Sequence, residues 1–125
     1  MIIAIGCDMV DHEITKSLGW LSNSKAIKRV LSDEEKELFN INKTARFISG
    51  RFAAKEAVLK CLGTGMKDGI SLTDIQILQT EAGKPILNIY GEVKAIAKAL
   101  GIENWHITIS HTSNTSVAFV VAEGN

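Results

Sequence analysis

The sequence predicts an α+β protein in which one long central helix packs on a small, mainly antiparallel sheet. Three observations carry that expectation. The periodic segments run strand, short helices, long helix, two strands, helix, two strands, which is not the alternation of a doubly wound sheet. The stretch from Thr44 to about Leu62 repeats apolar residues on nearly every side, as a buried helix does. The strand candidates after it come in neighbouring pairs joined by turn residues.

Ile2 to Cys7 is a continuous apolar run closed by Asp8, which reads as a buried strand delivering a carboxylate at its C-terminal end. From Asp11 to Asn42 the pattern is helical in short pieces, with Ser32 as an N-cap and Glu35 as its capping-box partner. Thr44 caps the long helix, and Gly63 and Gly65 stop it. Beyond the loop 63–69, Leu72 to Leu78 alternates as a strand rich in β-branched residues. Gly83-Lys84-Pro85 supplies a turn and Pro85 to Tyr90 a second strand. Gly91 to Leu100 is helical, with Val93, Ile96, Ala97 and Leu100 on its apolar face and Gly101 closing it. Trp105 to Ser110 and Ser116 to Ala122 are strands joined by His111-Thr-Ser-Asn-Thr, a polar connection of hairpin length.

The 125 residues suit one compact domain spanning 1–125, without repeats, low-complexity tracts or an interdomain linker. A 46% hydrophobic and 22% charged composition is that of a globular chain rather than a disordered one. Fourteen basic and fourteen acidic side chains cancel, so the overall field gives no reason to expect nucleic acid or an anionic membrane as partner. Eleven of the basic residues lie between Lys16 and Lys67, so an acidic or phosphorylated partner would approach the first half. Cys7 and Cys61 have neither disulfide-scaffold nor zinc spacing and read as reduced, small packing residues. The opening MIIAIGCDMVD has no basic leader and too short an apolar run for a membrane span, which places the expectation in the cytoplasm.

The long helix, apolar as it is, carries Arg51, Lys55, Glu56 and Lys60, and charges near a core need pairing, a metal or a ligand. Glu56 and Lys60 stand four apart. The plain reading is a solvated ion pair; the sharper one is that Glu56 holds a metal while Lys60 holds phosphates attached to it. Mg²⁺ binds through one or two carboxylates together with substrate phosphates and water, and Asp8 would be the second carboxylate. Gly63-Thr-Gly65 lets backbone approach a ligand, although helix termination explains Gly63 as well. Lys84 beside Pro85 is presented by a rigid turn. His111 at a strand-to-turn junction is more often structural, but in a phosphate site it can donate a hydrogen bond alongside Thr112. His12 and His106 carry no such support.

Gly6-Cys7-Asp8, the run Arg51-Phe-Ala-Ala-Lys-Glu-Ala-Val-Leu-Lys60 with Gly63-Thr-Gly65, Gly83-Lys84-Pro85, and Ile109-Ser-His111-Thr together resemble the holo-acyl-carrier-protein synthases, the short bacterial group of 4′-phosphopantetheinyl transferases. The resemblance runs from about Ile2 to Glu123, and FAAKEAxxKxxGTG is its most specific part. It implies the 4′-phosphopantetheinyl transferase fold, and transfer of the phosphopantetheine arm of coenzyme A to a serine of an acyl carrier protein. It also implies Asp8 and Glu56 as Mg²⁺ ligands and catalytic residues, with Lys60 stabilising the departing 3′,5′-ADP. Arg51, Lys55, Lys60, Gly63, Gly65, Lys84, Pro85, His111 and Thr112 become the coenzyme-site candidates, and a homotrimer with each coenzyme site at a subunit boundary is implied. Attack by a serine hydroxyl on phosphorus needs charge neutralisation more than covalent help. Glu56, directly or through a metal-held water, is the first choice to take the serine proton, and Glu35 the second.

One position departs from the pattern. Where the family commonly has an arginine six residues after the first aspartate, gripping the acidic carrier, this chain has Ile14. Lys16, Lys25, Lys28 and Arg29 are candidates to replace it, and a solvated face explains the same charges. The competing readings are a noncatalytic module binding coenzyme A or a nucleotide, and a Mg²⁺-dependent phosphotransfer enzyme with a small-molecule acceptor.

Overall fold

The structure is a computed structural model, and it describes residues 1–64 and 70–125. Its elements are β1 (Ile2–Asp11), α1 (His12–Ser17), α2 (Ser24–Val30), α3 (Asp33–Ile41), α4 (Ala45–Leu62), β2 (Ile75–Gln79), β3 (Pro85–Ile89), α5 (Gly91–Ala99), β4 (Asn104–His111) and β5 (Thr115–Glu123), with a single 3₁₀ turn at Leu72–Asp74. The strands form two antiparallel sheets, β1-β5-β4 and β2-β3, where the sequence suggested one. The expected strand from Leu72 starts only at Ile75, because Ser71 caps the 3₁₀ turn through Thr73 N–H.

The long helix is bounded as its sequence signals require. Thr44 Oγ1 accepts from Phe47 N–H at 3.1 Å, and Gly63, in the left-handed region at φ 71°, ends it. Ser32 and Glu35 close their capping box at the start of α3. The inner face of the three-stranded sheet, with Val10 of β1 and Ala118, Val120 and Ala122 of β5, packs on α4, where Ile48, Ala53, Ala54, Ala57, Val58 and Leu59 are buried. Large side chains such as Phe39, Ile48 and Leu59 each contribute on the order of 1.5–3 kcal/mol on burial.

Helix and sheet meet most closely at Gly6. A Cβ there would fall on the Ala57 carbonyl oxygen and crowd Cys61 Sγ. With glycine on the strand and alanine on the helix, the backbones touch, and residues either side of Gly6 are brought against the helix. β1 also runs past Asp8 to Asp11, so Asp8 lies inside the strand rather than ending it. Side chains alternate across a strand, so Gly6, Asp8 and Val10 share the face toward α4. A carboxylate is tolerated there because α4 supplies its counter-charge.

The opposite face of this sheet is apolar. Ile5 and Met9 of β1 and Phe119 of β5 are exposed on it, and Cys7 lies there too, so it does not pack inside the chain as expected. Cys61 does, and burial pushes its thiol up to about 11. No helix among the described residues is long and apolar enough to cross a membrane.

Gly6→Ala tests the backbone contact. Its φ is not in the left-handed region, so the expected loss, on the order of 1–3 kcal/mol by urea denaturation, is steric. A variant as stable as the parent refutes the close approach.

Candidate active site

Three of the charged residues converge where β1 crosses α4. Lys60 Nζ donates to the Cys7 carbonyl at 2.8 Å and to Asp8 Oδ1 at 3.3 Å. The lysine thus reaches across to the strand instead of pairing with Glu56 one turn back. Glu56 makes no hydrogen bond or ion pair among the described residues, and burial, then the negative charge of Asp8, raises its pKa against the opposing pull of Lys60. An unpaired carboxylate close enough to feel a second one is a donor set in want of a cation. The described residues contain no group of three or more His, Cys, Asp or Glu side chains placed to hold a metal ion. Two carboxylates open to solvent fit an ion that completes its shell with phosphate oxygens and water, as Mg²⁺ does.

A second cluster lies at the other end of α4. Arg46, Arg51, Gln79, Gly83, Pro85, Ile109 and His111 line a cleft of about 280 Å³. Arg51 is held over the Phe47 ring, its guanidinium carbon 4.1 Å from the centroid, and donates to the Ile77 carbonyl at 3.3 Å and Gln79 Oε1 at 2.9 Å. His111 enters because residue 50 is glycine: a Cβ there would stand 2.9 Å from His111 Cε1. Its pKa is lowered by burial, then by Arg46, His12 and Arg51. The cleft shares no residue with the Asp8–Glu56–Lys60 cluster. At about 100° per residue, Arg51 and Glu56 point roughly 140° apart around α4.

Other candidates are placed elsewhere. Lys55 is fully buried, and its ammonium donates to Glu35 Oε1 at 2.7 Å and to the carbonyls of Leu72 at 2.9 Å and Ile75 at 2.6 Å. All three of its hydrogens are engaged, so it has none for a coenzyme: its role is structural. Glu35, equally buried, also accepts from Ser32 and Ile77 N–H, which removes it as acceptor of a serine proton. Thr112 is occupied by the β4–β5 turn, accepting from Asn114 and Thr115 N–H and donating to Asn114. Gly63 caps α4, and Lys84 lines a neighbouring groove with Trp105 and His106 that shares Pro85 with the cleft. Gly65 lies outside the described residues.

Arg46, Gln79, His12 and Ser116 were not singled out from sequence. Gly50 was the available signal, because a glycine inside a helix costs about 1 kcal/mol against alanine and marks a close approach. Two carboxylates suited to a divalent ion with one lysine beside them, and a separate cleft lined by two arginines, are the kind of site that enzymes transferring phosphate-containing groups use.

Comparison with known proteins agrees. Residues 4–118 match the family described as the 4′-phosphopantetheinyl transferase superfamily. A holo-[acyl-carrier-protein] synthase of Hydrogenovibrio crunogenus is 41% identical over 98% of each chain. The crystal structure of the holo-[acyl-carrier-protein] synthase of Neisseria meningitidis superposes with TM-score 0.88 at 32% identity, covering 98% of this chain and 99% of that one. That of Bacillus anthracis, in complex with CoA (3′,5′-ADP), gives 0.81 at 31%, covering 100% and 99%. The chain belongs to the 4′-phosphopantetheinyl transferase superfamily, within its holo-acyl-carrier-protein synthase group.

The buried pair yields a test. Lys55→Met leaves Glu35 buried without its counter-charge, with an expected loss of about 3–5 kcal/mol by urea denaturation. Lys55→Met with Glu35→Leu recovers only the part due to the lone charge, because Ser32 and Ile77 N–H and the Leu72 and Ile75 carbonyls still lose their partners. Equal loss in both variants would show that the pair is not what the interior depends on.

Proposed function

We propose that this chain transfers the 4′-phosphopantetheine arm of coenzyme A to a serine of an apo acyl carrier protein. The observation that supports this most is the convergence of Lys60, Asp8 and the unpaired Glu56 beside the Gly6 contact. In the reaction the serine oxygen bonds to the phosphorus bearing the pantetheine arm, the bond from that phosphorus to the bridging oxygen breaks, and adenosine 3′,5′-bisphosphate leaves. Asp8 and Glu56 would hold the Mg²⁺, which when bound neutralises charge on the diphosphate. Lys60, its side chain 55% exposed and tethered by Asp8 and the Cys7 carbonyl, stands ready to neutralise the departing oxygen. Glu56, directly or through a water, is the group proposed to take the serine proton. Arg46, Arg51 and His111 bind phosphate in the cleft.

The active chain is proposed to be a homotrimer. Support comes from the apolar face with Ile5, Met9 and Phe119, and from the separation of the two clusters, which a neighbouring copy would bring together. The cytoplasm is the proposed location, where the free Cys7 and Cys61 thiols stay reduced. The competing noncatalytic reading is disfavoured by the intact Asp8, Glu56 and Lys60.

The assay incubates the protein with coenzyme A, Mg²⁺ and apo carrier protein and weighs the carrier by mass spectrometry. Transfer is expected, and it falls at least a hundredfold, on the order of a lost charge-stabilising group, in Glu56→Gln or without Mg²⁺. A carboxylate whose pKa is raised by folding costs stability above its unfolded value, so at neutral pH and without Mg²⁺ Glu56→Gln removes that cost and melts higher than the parent. Undiminished transfer by Glu56→Gln would end this mechanism. Light scattering checks the assembly: Phe119→Glu is expected to give monomers with little activity, and a fully active monomer would refute the shared site.

A further inference from the structure

The polar group behind the cleft is one that the proposed chemistry leaves unexplained. Ser116, fully buried on β5, has its Oγ 2.7 Å from Nδ1 of His111 and 2.8 Å from Nε2 of His12. The two rings stand 6.4 Å apart, with the hydroxyl between them. His12 is itself fixed at the start of α1. Its N–H donates to the Asn114 carbonyl at 2.8 Å, and its carbonyl accepts from Thr15 Oγ1, which bonds Ser49 Oγ.

A hydroxyl has one hydrogen and two lone pairs. If both rings donated, the fully buried hydroxyl hydrogen would have no acceptor among the described residues, so Ser116 donates to one ring and accepts from the other. Two arrangements of the neutral groups satisfy this. In the first, His111 Nδ1–H donates to Ser116, Ser116 donates to His12 Nε2, and the remaining hydrogen sits on His12 Nδ1. In the second, His12 Nε2–H donates to Ser116, Ser116 donates to His111 Nδ1, and the remaining hydrogen sits on His111 Nε2. The arrangements differ in where the spare donor ends. His12 is only 5% exposed, and its Nδ1 makes no hydrogen bond among the described residues. His111 Nε2 likewise has no partner among the described residues, but His111 lines the cleft beside Arg46 and Arg51, where water or an anion can accept. No wholly buried side-chain nitrogen lacks a partner among the described residues, so His12 Nδ1 reaches solvent only along the narrow exposed edge of its ring. An N–H finds an acceptor more readily in the open cleft, and the spare hydrogen belongs at the cleft end.

We infer that His12 and Ser116 are positioning residues, which set the tautomer of His111 so that its cleft-facing Nε2 carries a hydrogen to a phosphate while the ring stays neutral. Keeping the ring neutral accords with the cations around it, Arg46 and Arg51 of α4, and with the lowered pKa of His111. The inference rests on the reading of the cleft as a phosphate site.

The test uses the full chain with ¹⁵N-labelled histidine. Long-range proton–nitrogen NMR correlations are expected to show both His12 and His111 protonated at Nε2 and bare at Nδ1; a hydrogen on His111 Nδ1 in the neutral protein overturns the inference. Calorimetry with adenosine 3′,5′-bisphosphate provides the second arm. His12→Leu and Ser116→Ala are expected to weaken binding about threefold to tenfold, the scale of one misaligned hydrogen bond to a charged group. His12→Gln, whose amide can still donate to Ser116, stays near the parent, and the loss in the leucine variant falls on KM for coenzyme A more than on kcat. Parent-like binding by both His12→Leu and Ser116→Ala would also overturn it. If the parent protein itself fails to bind the bisphosphate, the phosphate reading of the cleft falls, and the NMR arm still decides the tautomer.

Discussion

The contact of β1 with α4 at Gly6 and Ala57 is the constraint on which the rest of the structure depends. With no side chain between the two backbones, the next inward residue of the strand, Asp8, is held within reach of Lys60, and its charge is felt by Glu56. A larger spacing would leave the carboxylates as separate surface charges. The same economy recurs at Gly50, where the absence of a side chain admits the His111 ring to the side of the helix. Two glycines, one on the strand and one on the helix, thus shape both clusters.

The charges of α4 divide by what surrounds them. Lys55 and Glu35 answer to the interior: they tie α4 to α3, to the 3₁₀ turn and to the first residues of β2, and every donor of the lysine has an acceptor. Arg51 is half-buried, held by a ring and two oxygens. Glu56 has no partner at all among the described residues. Adjacent in sequence, Lys55 and Glu56 therefore differ sharply, one closing the core and the other left without an ion-pair partner among the described residues. Such unmet electrostatic demand is where proteins give up stability for function.

Most of the fold could be read from local signals, since caps, apolar periodicity and turn residues act over a few positions. Thr44, Ser32 and Gly63 did what their types predict. The strand through Asp8 was cut short because a carboxylate looks like a terminus until its counter-charge, Lys60, is known. The candidate cluster could be assembled from sequence where spacing on one helix suggested it, as for Glu56 and Lys60, and through the resemblance for Asp8, and the structure places Lys60 against Asp8. The site was not legible where tertiary partners decide the role. A lysine in the most specific part of the motif turned out to be wholly interior, and Thr112 belongs to its own turn. His12 and Ser116, 104 positions apart, meet only because β5 lies beside β1.

Arg51 and Glu56 leave the same helix in directions that diverge by roughly 140°. In the proposed assembly, each α4 therefore serves two reaction centres, lending its acidic side to one and its basic side to another. A lesion is then not private to the copy that bears it. A subunit crippled on one side still offers a sound opposite side to its neighbour, so mixed rings of differently damaged chains retain working boundaries that neither defective chain could build alone.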